Sequence, residues 1–189
     1  MASLLERAIG AARFDAAVYE DVEHDQSALG QAMTVVVVAA VAGGIGSASA
    51  SGGHGIGLIG GVVASLIGWF VWAFTIYLIG TRVLPEAETK SDMGELLRTT
   101  GFAAAPGVFG VLGVLPGIGS LLMAVAGLWQ LAAMVVAVRQ ALDYTGTGRA
   151  VLVCVIGFVA YVVVTVLLMS VLIGAVASLF GGTPAAVMP

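Results

Sequence analysis

The chain has 189 residues, of which 60% are hydrophobic and 10% are charged, and its formal net charge is −4 at pH 7. A composition this apolar excludes an ordinary water-soluble domain and indicates an integral membrane protein. The single Cys154 excludes a disulfide framework, and with only two histidines a structural zinc site is not expected. We therefore expect no metal and no cofactor, and no nucleic-acid partner.

Charged residues are confined to three segments, which are Glu6–Asp25, Arg82–Arg98 and Arg139–Arg149. The runs between and after them can cross a bilayer core of about 30 Å, since each crossing needs roughly 20 helical residues. They predict an all-α integral membrane bundle of five transmembrane helices with a short amphipathic N-terminal helical segment. The predicted spans are Ala28–Gly46, Ile56–Gly80, Gly101–Leu115, Ile118–Val138 and Ala150–Ser178. Between the first two, Ser47–Gly55 is predicted to be a small-residue linker.

The same pattern divides the chain into an N-terminal segment at 1–26, a membrane domain at 27–180 and a short tail at 181–189. In the N-terminal segment, helical spacing relates the apolar residues Leu4, Leu5, Ala8, Ile9 and Ala12. Asp15 can cap a second short helix that carries Val18, Tyr19 and Val22. Either this segment packs on the bundle or its acidic residues form a docking surface. Those acidic residues are Glu20, Asp21, Glu23 and Asp25.

The third span is the least regular of the five. Ser91 can cap its helix, with Asp92 and Glu95 in the first turns, where negative charge suits the helix dipole. The apolar part that follows is only about 22 Å long at 1.5 Å per residue, and Pro106 predicts a kink inside it. The third and fourth segments therefore either both cross the bilayer or form a re-entrant hairpin.

Five crossings place the N-terminal segment, residues 81–99 and residues 139–149 on one face of the membrane. All 7 Lys and Arg residues fall on this face. Because basic residues near span ends stay cytoplasmic, we expect the N-terminus inside and the C-terminus outside. The Ala-, Gly- and Val-rich, Lys-poor composition adds the expectation of a bacterial inner-membrane protein.

Gln130 is the most polar side chain inside a predicted span, because no span contains a charged residue. The absence of charge argues against an ion-coupled pump. The amide either joins helices through a hydrogen bond or lines a cavity, and together with Pro106 it forms a candidate intramembrane polar or kink site. Trp69, Trp72 and Trp129 lie away from the membrane interfaces and are expected to be packing residues.

The stretch RQALDYTGTGRA contains two arginines and an aspartate in an otherwise charge-poor chain. Arg139 and Arg149 bracket the loop between the fourth and fifth spans, and Asp143 can pair with either arginine. Together with Arg98 and Tyr144, these residues are the candidate contacts to a protein partner or to lipid headgroups.

Small residues recur four apart in several spans, a spacing that lets helices approach closely. This spacing predicts either packing within the bundle or contacts in a homo-oligomer. The sets are Gly57 with Gly61, Gly113 with Gly117, Ala133 with Ala137, and Ser170 with Gly174 and Ser178.

Three segments taken together carry a family resemblance: RAIGAARFDAAVYEDVEHD, RTTGFAAAPGVFGVLGVLPGIG and LWQLAAMVVAVRQALDYTGTGRAVLVCVIGF. In this order and spacing they resemble the bacterial branch of the Yip domain family, the Ypt-interacting-protein-like membrane proteins. The resemblance extends from Arg7 to about Gly157. It implies a five-span protein with a cytoplasmic N-terminus. The association of eukaryotic relatives with small GTPases and vesicle trafficking is not expected to carry over.

The sequence contains no HExxH, GxSxG or P-loop motif, so we expect a non-enzymatic protein. The leading hypothesis is a scaffold or membrane-organising factor that acts through helix packing and cytoplasmic loops, with the lipid bilayer and a protein as partners. The alternative is a small transport protein, channel or lipid-moving protein with a polar path near Gln130 and the Pro106 kink.

Overall fold

The computed structural model describes residues 2–50 and 57–180, and the regular structure in these ranges is entirely helical. The α-helices are α1 (Leu4–Ala12), α2 (Ala16–His24), α3 (Ala28–Ala50), α4 (Leu58–Leu78), α5 (Met93–Phe102), α6 (Gly119–Ala141) and α7 (Thr147–Phe180). A π-helical turn, Ile79–Val83, extends α4, and a 3₁₀ helix, Ala105–Val114, lies between α5 and α6. The all-α prediction is confirmed.

Five helical stretches of the described chain are long and apolar enough to cross a bilayer. They are Ala28–Ala48, Leu58–Val83, Met93–Val114, Gly119–Ala141 and Thr147–Val171. This confirms the five-span bundle. The helix α3 continues to Ala50, so the predicted linker begins later than Ser47. The rest of that linker, at 51–56, and the predicted tail at 181–189 lie outside the described residues.

The third span is not a kinked α-helix, and that prediction is wrong. Instead α5 ends at Phe102, and the chain continues as a 3₁₀ helix with Pro106 in its first turn. Proline fits a helix start because it has no N–H to satisfy there. A 3₁₀ helix rises about 2.0 Å per residue against 1.5 Å in an α-helix, so this short segment reaches further than its residue count indicates.

Three glycines at a spacing of three favour the 3₁₀ form. In a 3₁₀ helix, residues i and i+3 eclipse, so Gly107, Gly110 and Gly113 form one continuous face. This face packs on α3, where a Cβ added to Gly110 would lie 3.0 Å from Cα of Gly43. A Cβ on Gly113 would lie 2.9 Å from Cα of Gly46. Helix α3 and the 3₁₀ helix therefore touch backbone to backbone.

The two ends of the bundle differ in charge. The charged end comprises α1, α2 and the loops 84–92 and 142–146, which contact one another: Nε2 of Gln140 donates to Glu20, and the backbone N–H of Lys90 donates to Asp143. The far end comprises the turn 115–118. Because Gly46, near the far end of α3, meets Gly113, the third segment runs the full length of the bundle rather than turning back.

The N-terminal helices pack as a hairpin on the charged end of α3, α5 and α6. Asp15 caps α2 by accepting a hydrogen bond from the N–H of Ala17, as predicted. Tyr19 and Val22 are fully buried against the bundle. The hydroxyl of Tyr19 donates to the carbonyl oxygens of Ala11 and Ala133, which joins α1, α2 and α6. The packing interpretation of this segment therefore holds for its apolar face.

The N-cap of α5 differs from the prediction. Asp92 rather than Ser91 caps the helix, and it forms a reciprocal capping box with Glu95. The Asp92 carboxylate accepts from the N–H of Glu95 at 2.9 Å, and the Glu95 carboxylate accepts from the N–H of Asp92 at 2.8 Å. Two of the four N–H groups that a helix start leaves unpaired are satisfied in this way.

Candidate functional site

The loop between α6 and α7 is held by two of the candidate contact residues. Arg139 donates from Nε to the carbonyl oxygen of Tyr144 and from Nη2 to that of Thr145, both at 3.3 Å. Tyr144 is 3% exposed, and its hydroxyl donates to the carbonyl oxygens of Gly80 and Leu84. The same burial raises the pKa of the Tyr144 phenol. Tyr144 therefore fastens this loop to the π-helical turn and is not available to a partner or a headgroup.

Asp143 does not pair with an arginine, so that prediction is wrong. Its backbone lies in the left-handed region at φ 52°, where it ends α6 with the N–H of Tyr144 bonded to the carbonyl of Arg139. Arg149 instead forms an ion pair with Glu86, with 3.7 Å between Nε of Arg149 and Oε1 of Glu86. Arg149 also donates to the carbonyl oxygens of Leu84 and Pro85. The stretch RQALDYTGTGRA thus joins the α6–α7 loop to the loop 84–92, and we call this contact the loop clamp. Among the candidate residues of this stretch, Asp143 is the one that is exposed.

Arg98 is also used inside the protein. Its side chain is 6% exposed, and its guanidinium donates to the carbonyl oxygens of Val22 and Glu23 at the end of α2. A cation at a helix C-terminus satisfies unpaired carbonyls and suits the negative end of the dipole. Arg98 therefore docks α2 onto α5, which removes it from the set of residues that can meet a partner.

Two residues of the predicted acidic docking surface, Asp21 and Asp25, form ion pairs with Arg7. This arginine is 2% exposed and lies 2.8 Å from the Asp21 carboxylate and 2.7 Å from the Asp25 carboxylate. Hydrogen bonds from Ser27, together with Arg7, lower the pKa of Asp25 to about 2. Glu23 is itself buried at 5% exposure. Most of the acidic cluster therefore anchors the N-terminal hairpin.

A cavity of about 890 Å³ forms a groove between the spans. It is walled by α3, α4, α6, α7 and the 3₁₀ helix, and we call it the intramembrane groove. It runs from Val36 to Ser47, about 16 Å along α3 at 1.5 Å per residue. Helical glycines open it: Gly61 and Gly127 line it, and a Cβ added to either would meet no atom within 4 Å.

Gln130 lines this groove, and its amide makes no hydrogen bond to another described residue. The prediction that it joins helices through a hydrogen bond is therefore wrong, and the cavity-lining interpretation is the one observed. The hydroxyls of Ser65 and Tyr161 line the same groove and are likewise unpartnered within the described chain. Three uncharged polar groups from three helices thus converge on one space.

Two glycines make room for these polar groups. A Cβ on Gly107 would lie 2.7 Å from Oε1 of Gln130, and one on Gly68 would lie 2.9 Å from the hydroxyl of Tyr161. Pro106 is buried beside Gly107 at the start of the 3₁₀ helix, so it positions the glycine rather than kinking a helix open. The two members of the predicted intramembrane site, Pro106 and Gln130, do belong to one place.

Two of the tryptophans form part of the groove wall. Trp69 donates from Nε1 to the hydroxyl of Thr100 at 3.1 Å, and the Trp72 ring meets the Tyr161 ring edge-on at 5.9 Å between centroids. Trp129 lies outside the groove, stacks on Phe109 and donates to the carbonyl of Ala12. All three are packing residues, and Trp69 and Trp72 also face the groove.

Small residues spaced four apart were predicted to allow close helix packing, and only some of them do so. Ala133 and Ala137 are fully buried between helices, as expected for close packing. Gly61 borders the groove instead of a neighbouring helix, and Gly117 has a φ of +83° in the far-end turn. The sequence signal that located the closest packing was the run of glycines three apart in the 3₁₀ helix.

The lining of the groove is suited to binding. The described residues that line it carry no charge and include no cysteine or histidine, so they offer neither an acid–base pair nor a nucleophile activated by a base. Within the described ranges, no three His, Cys, Asp or Glu side chains are grouped to hold a metal ion. What it offers is apolar wall with a few neutral hydrogen-bonding groups, the common make-up of a small-molecule site.

Comparison with known proteins gives a family but no ligand. The model of the Yip1 domain matches residues 14–168. This range includes the acidic residues of the predicted docking surface and all the residues that line the groove. No curated protein and no solved structure matches the chain.

Proposed function

This chain belongs to the Yip1 domain family, and we propose that it organises its membrane, without enzymatic activity, by holding an uncharged lipid in the intramembrane groove. The observation that carries the proposal is the convergence of Ser65, Gln130 and Tyr161 on one apolar space, where their polar groups have no hydrogen-bond partner among the described residues. In hydrocarbon an unsatisfied polar group costs several kcal/mol. An occupant that brings its own hydrogen-bonding groups would remove this cost.

The lining defines the chemical class of the occupant. Because most of the wall is apolar, a hydrocarbon chain fits it, and a volume of about 890 Å³ is within the usual range of roughly 300–1,000 Å³ for ligand pockets. Because the lining side chains are neutral, a charged phosphate or ammonium would find no counter-ion there. Hydroxyl, ester and carbonyl groups match an amide and two hydroxyls, so diacylglycerol is a suitable probe.

The depth of the groove supports binding from one leaflet rather than conduction. Its length of about 16 Å along α3 is close to half of a bilayer core of roughly 30 Å. Towards the charged end it stops at Thr100 and Met134, beneath the fully buried residues Leu96 and Val138. A channel needs an opening at both ends. The alternative of a channel is therefore less well supported than that of a lipid-moving protein.

Tryptophan fluorescence tests the proposal, since Trp69 and Trp72 line the groove. The full chain is placed in phosphatidylcholine nanodiscs that contain either brominated diacylglycerol or brominated phosphatidylcholine. We expect diacylglycerol to quench at mole fractions where the phospholipid does not. Gln130→Leu should weaken this quenching about three- to tenfold, as expected for one lost hydrogen bond. Gln140→Leu makes the same change at the charged end and should have no effect.

Two results would contradict the proposal. Equal quenching by both brominated lipids would mean that the groove does not select an uncharged headgroup. Diacylglycerol quenching that Gln130→Leu leaves unchanged would mean that the amide does not contact the lipid. Ion flux through the protein in liposomes would instead favour the channel alternative.

A scaffold role at the charged end is the second candidate, and the fixed geometry of that end favours it. The backbone N–H of Lys90 donates to Asp143, and Thr145 donates to the Glu86 carboxylate. Surfaces held this way suit protein recognition. Since Tyr144 is buried, a photocrosslinker belongs at the exposed Glu88. Recovery of one dominant protein from native membranes would support a scaffold, and the absence of any adduct would oppose it.

We also propose that the charged end faces the cytoplasm of a bacterial inner membrane, because all Lys and Arg residues outside the spans or at their ends belong to that end. In a Cys154→Ala background, a thiol reagent applied from outside should label Ser120→Cys at the far end. Glu88→Cys at the charged end should react only after permeabilisation. The reverse pattern would invert the topology.

A further inference from the structure

A second cavity lies between α1 and the bundle and is separate from the intramembrane groove. It has a volume of about 340 Å³ and is walled by α1, α3 and the 3₁₀ helix, and Trp129 of α6 also lines it. Its lining is apolar, as at Ile9, Val38 and Val108, except for Arg13 and Thr34. We call it the α1 cleft.

The cleft is held open by polar contacts at both ends of α1. Arg7 is fixed by Asp21 and Asp25, and its Nη1 donates to the side chain of Gln31 on α3. At the other end, Nε1 of Trp129 donates to the carbonyl oxygen of Ala12 at 2.7 Å. Because these contacts fix α1 at a distance from α3, its apolar side chains cannot close the gap by moving inward.

The rim of the cleft carries exposed apolar side chains. Leu5 is 65% exposed, Ile9 is 43% exposed and Phe109 is 42% exposed, although all three also line the cavity. Exposed apolar side chains on a helix at the end of a transmembrane bundle are typical of an interfacial helix. A cleft that opens between such side chains is accessible to acyl chains of the adjoining leaflet.

Arg13 distinguishes this cleft from a simple packing defect. Its side chain is exposed and forms no ion pair or hydrogen bond with another described residue, whereas Arg7, Arg98, Arg139 and Arg149 all do. A guanidinium presents a planar fork of donors that fits a phosphate group. The cleft therefore pairs an apolar slot with an unsatisfied cation at its edge.

We propose that the α1 cleft binds an anionic phospholipid of the leaflet at the charged end, with one acyl chain in the slot and the phosphate at Arg13. The acyl chain covers the apolar surface that α1 leaves open, and the phosphate supplies the anion that Arg13 lacks. This site is distinct from that of the lipid proposed for the intramembrane groove, since the described linings of the two cavities share only Ala39 and take different headgroup chemistry.

Trp129 provides the readout, because it lines the cleft. In a Trp69→Phe, Trp72→Phe background, Trp129 is the remaining tryptophan. The full chain in phosphatidylcholine nanodiscs receives either brominated phosphatidylglycerol or brominated phosphatidylcholine at equal mole fractions. We expect phosphatidylglycerol to quench Trp129 at about a fivefold lower mole fraction.

Arg13→Gln should abolish this preference while the fold remains intact, because the side chain is exposed and forms no hydrogen bond or ion pair with another described residue. Arg82→Gln is the matched control: Arg82 is also exposed and unpartnered in the described chain but does not line the cleft. It should leave the preference unchanged. Gln130→Leu should also leave it unchanged, which keeps this test distinct from that of the groove.

Three outcomes would overturn the proposal. A preference that survives in Arg13→Gln would remove the phosphate contact. A preference lost equally in Arg82→Gln would show general attraction of the charged end for anionic lipid. Competition by inorganic phosphate alone, at millimolar concentration, would show an anion site that needs no acyl chain.

Discussion

Gly107 and Gln130 share a space that holds either a side-chain amide or a methyl group, but not both. A Cβ on Gly107 would lie 2.7 Å from Oε1 of Gln130 and 3.1 Å from Cβ of Ala39. Packed side chains do not approach so closely. The glycine at position 107 is therefore the reason that a polar amide can enter the groove next to α3.

Gly107→Ala should accordingly impair lipid binding without removing any polar group. The new methyl displaces the amide of Gln130, so diacylglycerol quenching of Trp69 and Trp72 should weaken about three- to tenfold. Gly30→Ala, where an added Cβ meets no atom within 4 Å, is the control and should bind as the wild type does. If Gly107→Ala binds normally and melts at the wild-type temperature, the amide has another position that serves equally well.

Tyr161→Phe removes a single hydroxyl from the opposite wall of the groove. The ring keeps its edge-on contact with Trp72, so packing should change little. We expect diacylglycerol binding to fall about two- to tenfold, the usual range for one neutral hydrogen bond. Tyr77→Phe, on α4 but outside the groove lining, is the matched control. A variant that retains full affinity would assign Tyr161 a packing role only.

The sequence identified one polar member of the groove, Gln130, but not the groove itself. Gln130 stood out because polar side chains in hydrocarbon are rare, and that reasoning depends only on composition. Its partners Ser65 and Tyr161 lie on other helices, and their convergence depends on how α4, α6 and α7 are rotated about their axes. Periodicity places a residue on a face of a helix but does not say whether that face meets a neighbour or a gap.

The five-span bundle could also be predicted from composition. The secondary structure of the third span, an α-helix followed by a 3₁₀ helix, could not. Three charge-free runs, together long enough for five spans, predicted the number of transmembrane helices, since hydrocarbon tolerates little else. The 3₁₀ helix depends on contact between two glycine faces, at Gly110 on Gly43 and Gly113 on Gly46. This tertiary contact overrides the usual preference for an α-helix, although glycines three apart were a visible signal.

The contacts of the α6–α7 loop show a second limit of prediction from sequence, which concerns the choice of ion-pair partners. Charges in the sequence located the loop between α6 and α7, but the pairing of Asp143 with an arginine was wrong. Asp143 occupies a left-handed backbone position that ends α6, a role usually taken by glycine or asparagine. Arg149 has carbonyl oxygens and Glu86 from another loop within reach. Partner choice across loops depends on tertiary distance, which local spacing does not contain.

Arg98→Lys should destabilise the N-terminal hairpin. Lysine keeps the charge but cannot donate to Val22 and Glu23 from two positions of a planar fork. Because the site is buried, we expect a loss of about 1.5–3 kcal/mol in the free energy of unfolding. A thermal melt in detergent and protease sensitivity near residue 13 measure it. Arg82→Lys, at an exposed position, should melt like the wild type.

Glu23 should make stability depend on pH. Its side chain is 5% exposed, and Oε2 has no hydrogen-bond partner in the described protein. Burial, followed by the nearby carboxylates, raises the pKa of Glu23 to about 8. The titratable groups that face it are Glu20 and His24 on α2, Glu95 on α5 and Asp143 in the α6–α7 loop.

The sign follows from proton counting. Between the ordinary pKa of 4.5 and about 8, folded Glu23 keeps a proton that the unfolded chain has released. The free energy of unfolding therefore falls as pH rises through this interval and levels off above it. Thermal melts in detergent should show wild-type protein losing several °C between pH 5 and pH 9, at about 2–4 °C per kcal/mol for a chain of this length.

Glu23→Gln should flatten this dependence, because the amide has a similar shape and does not titrate. It should melt above the wild type at pH 9 and close to it at pH 5. Glu88→Gln removes the same charge from an exposed position and should retain the wild-type slope. A Glu23→Gln slope that matches the wild type would mean that the carboxyl ionises at its ordinary pKa, with water reaching Oε2.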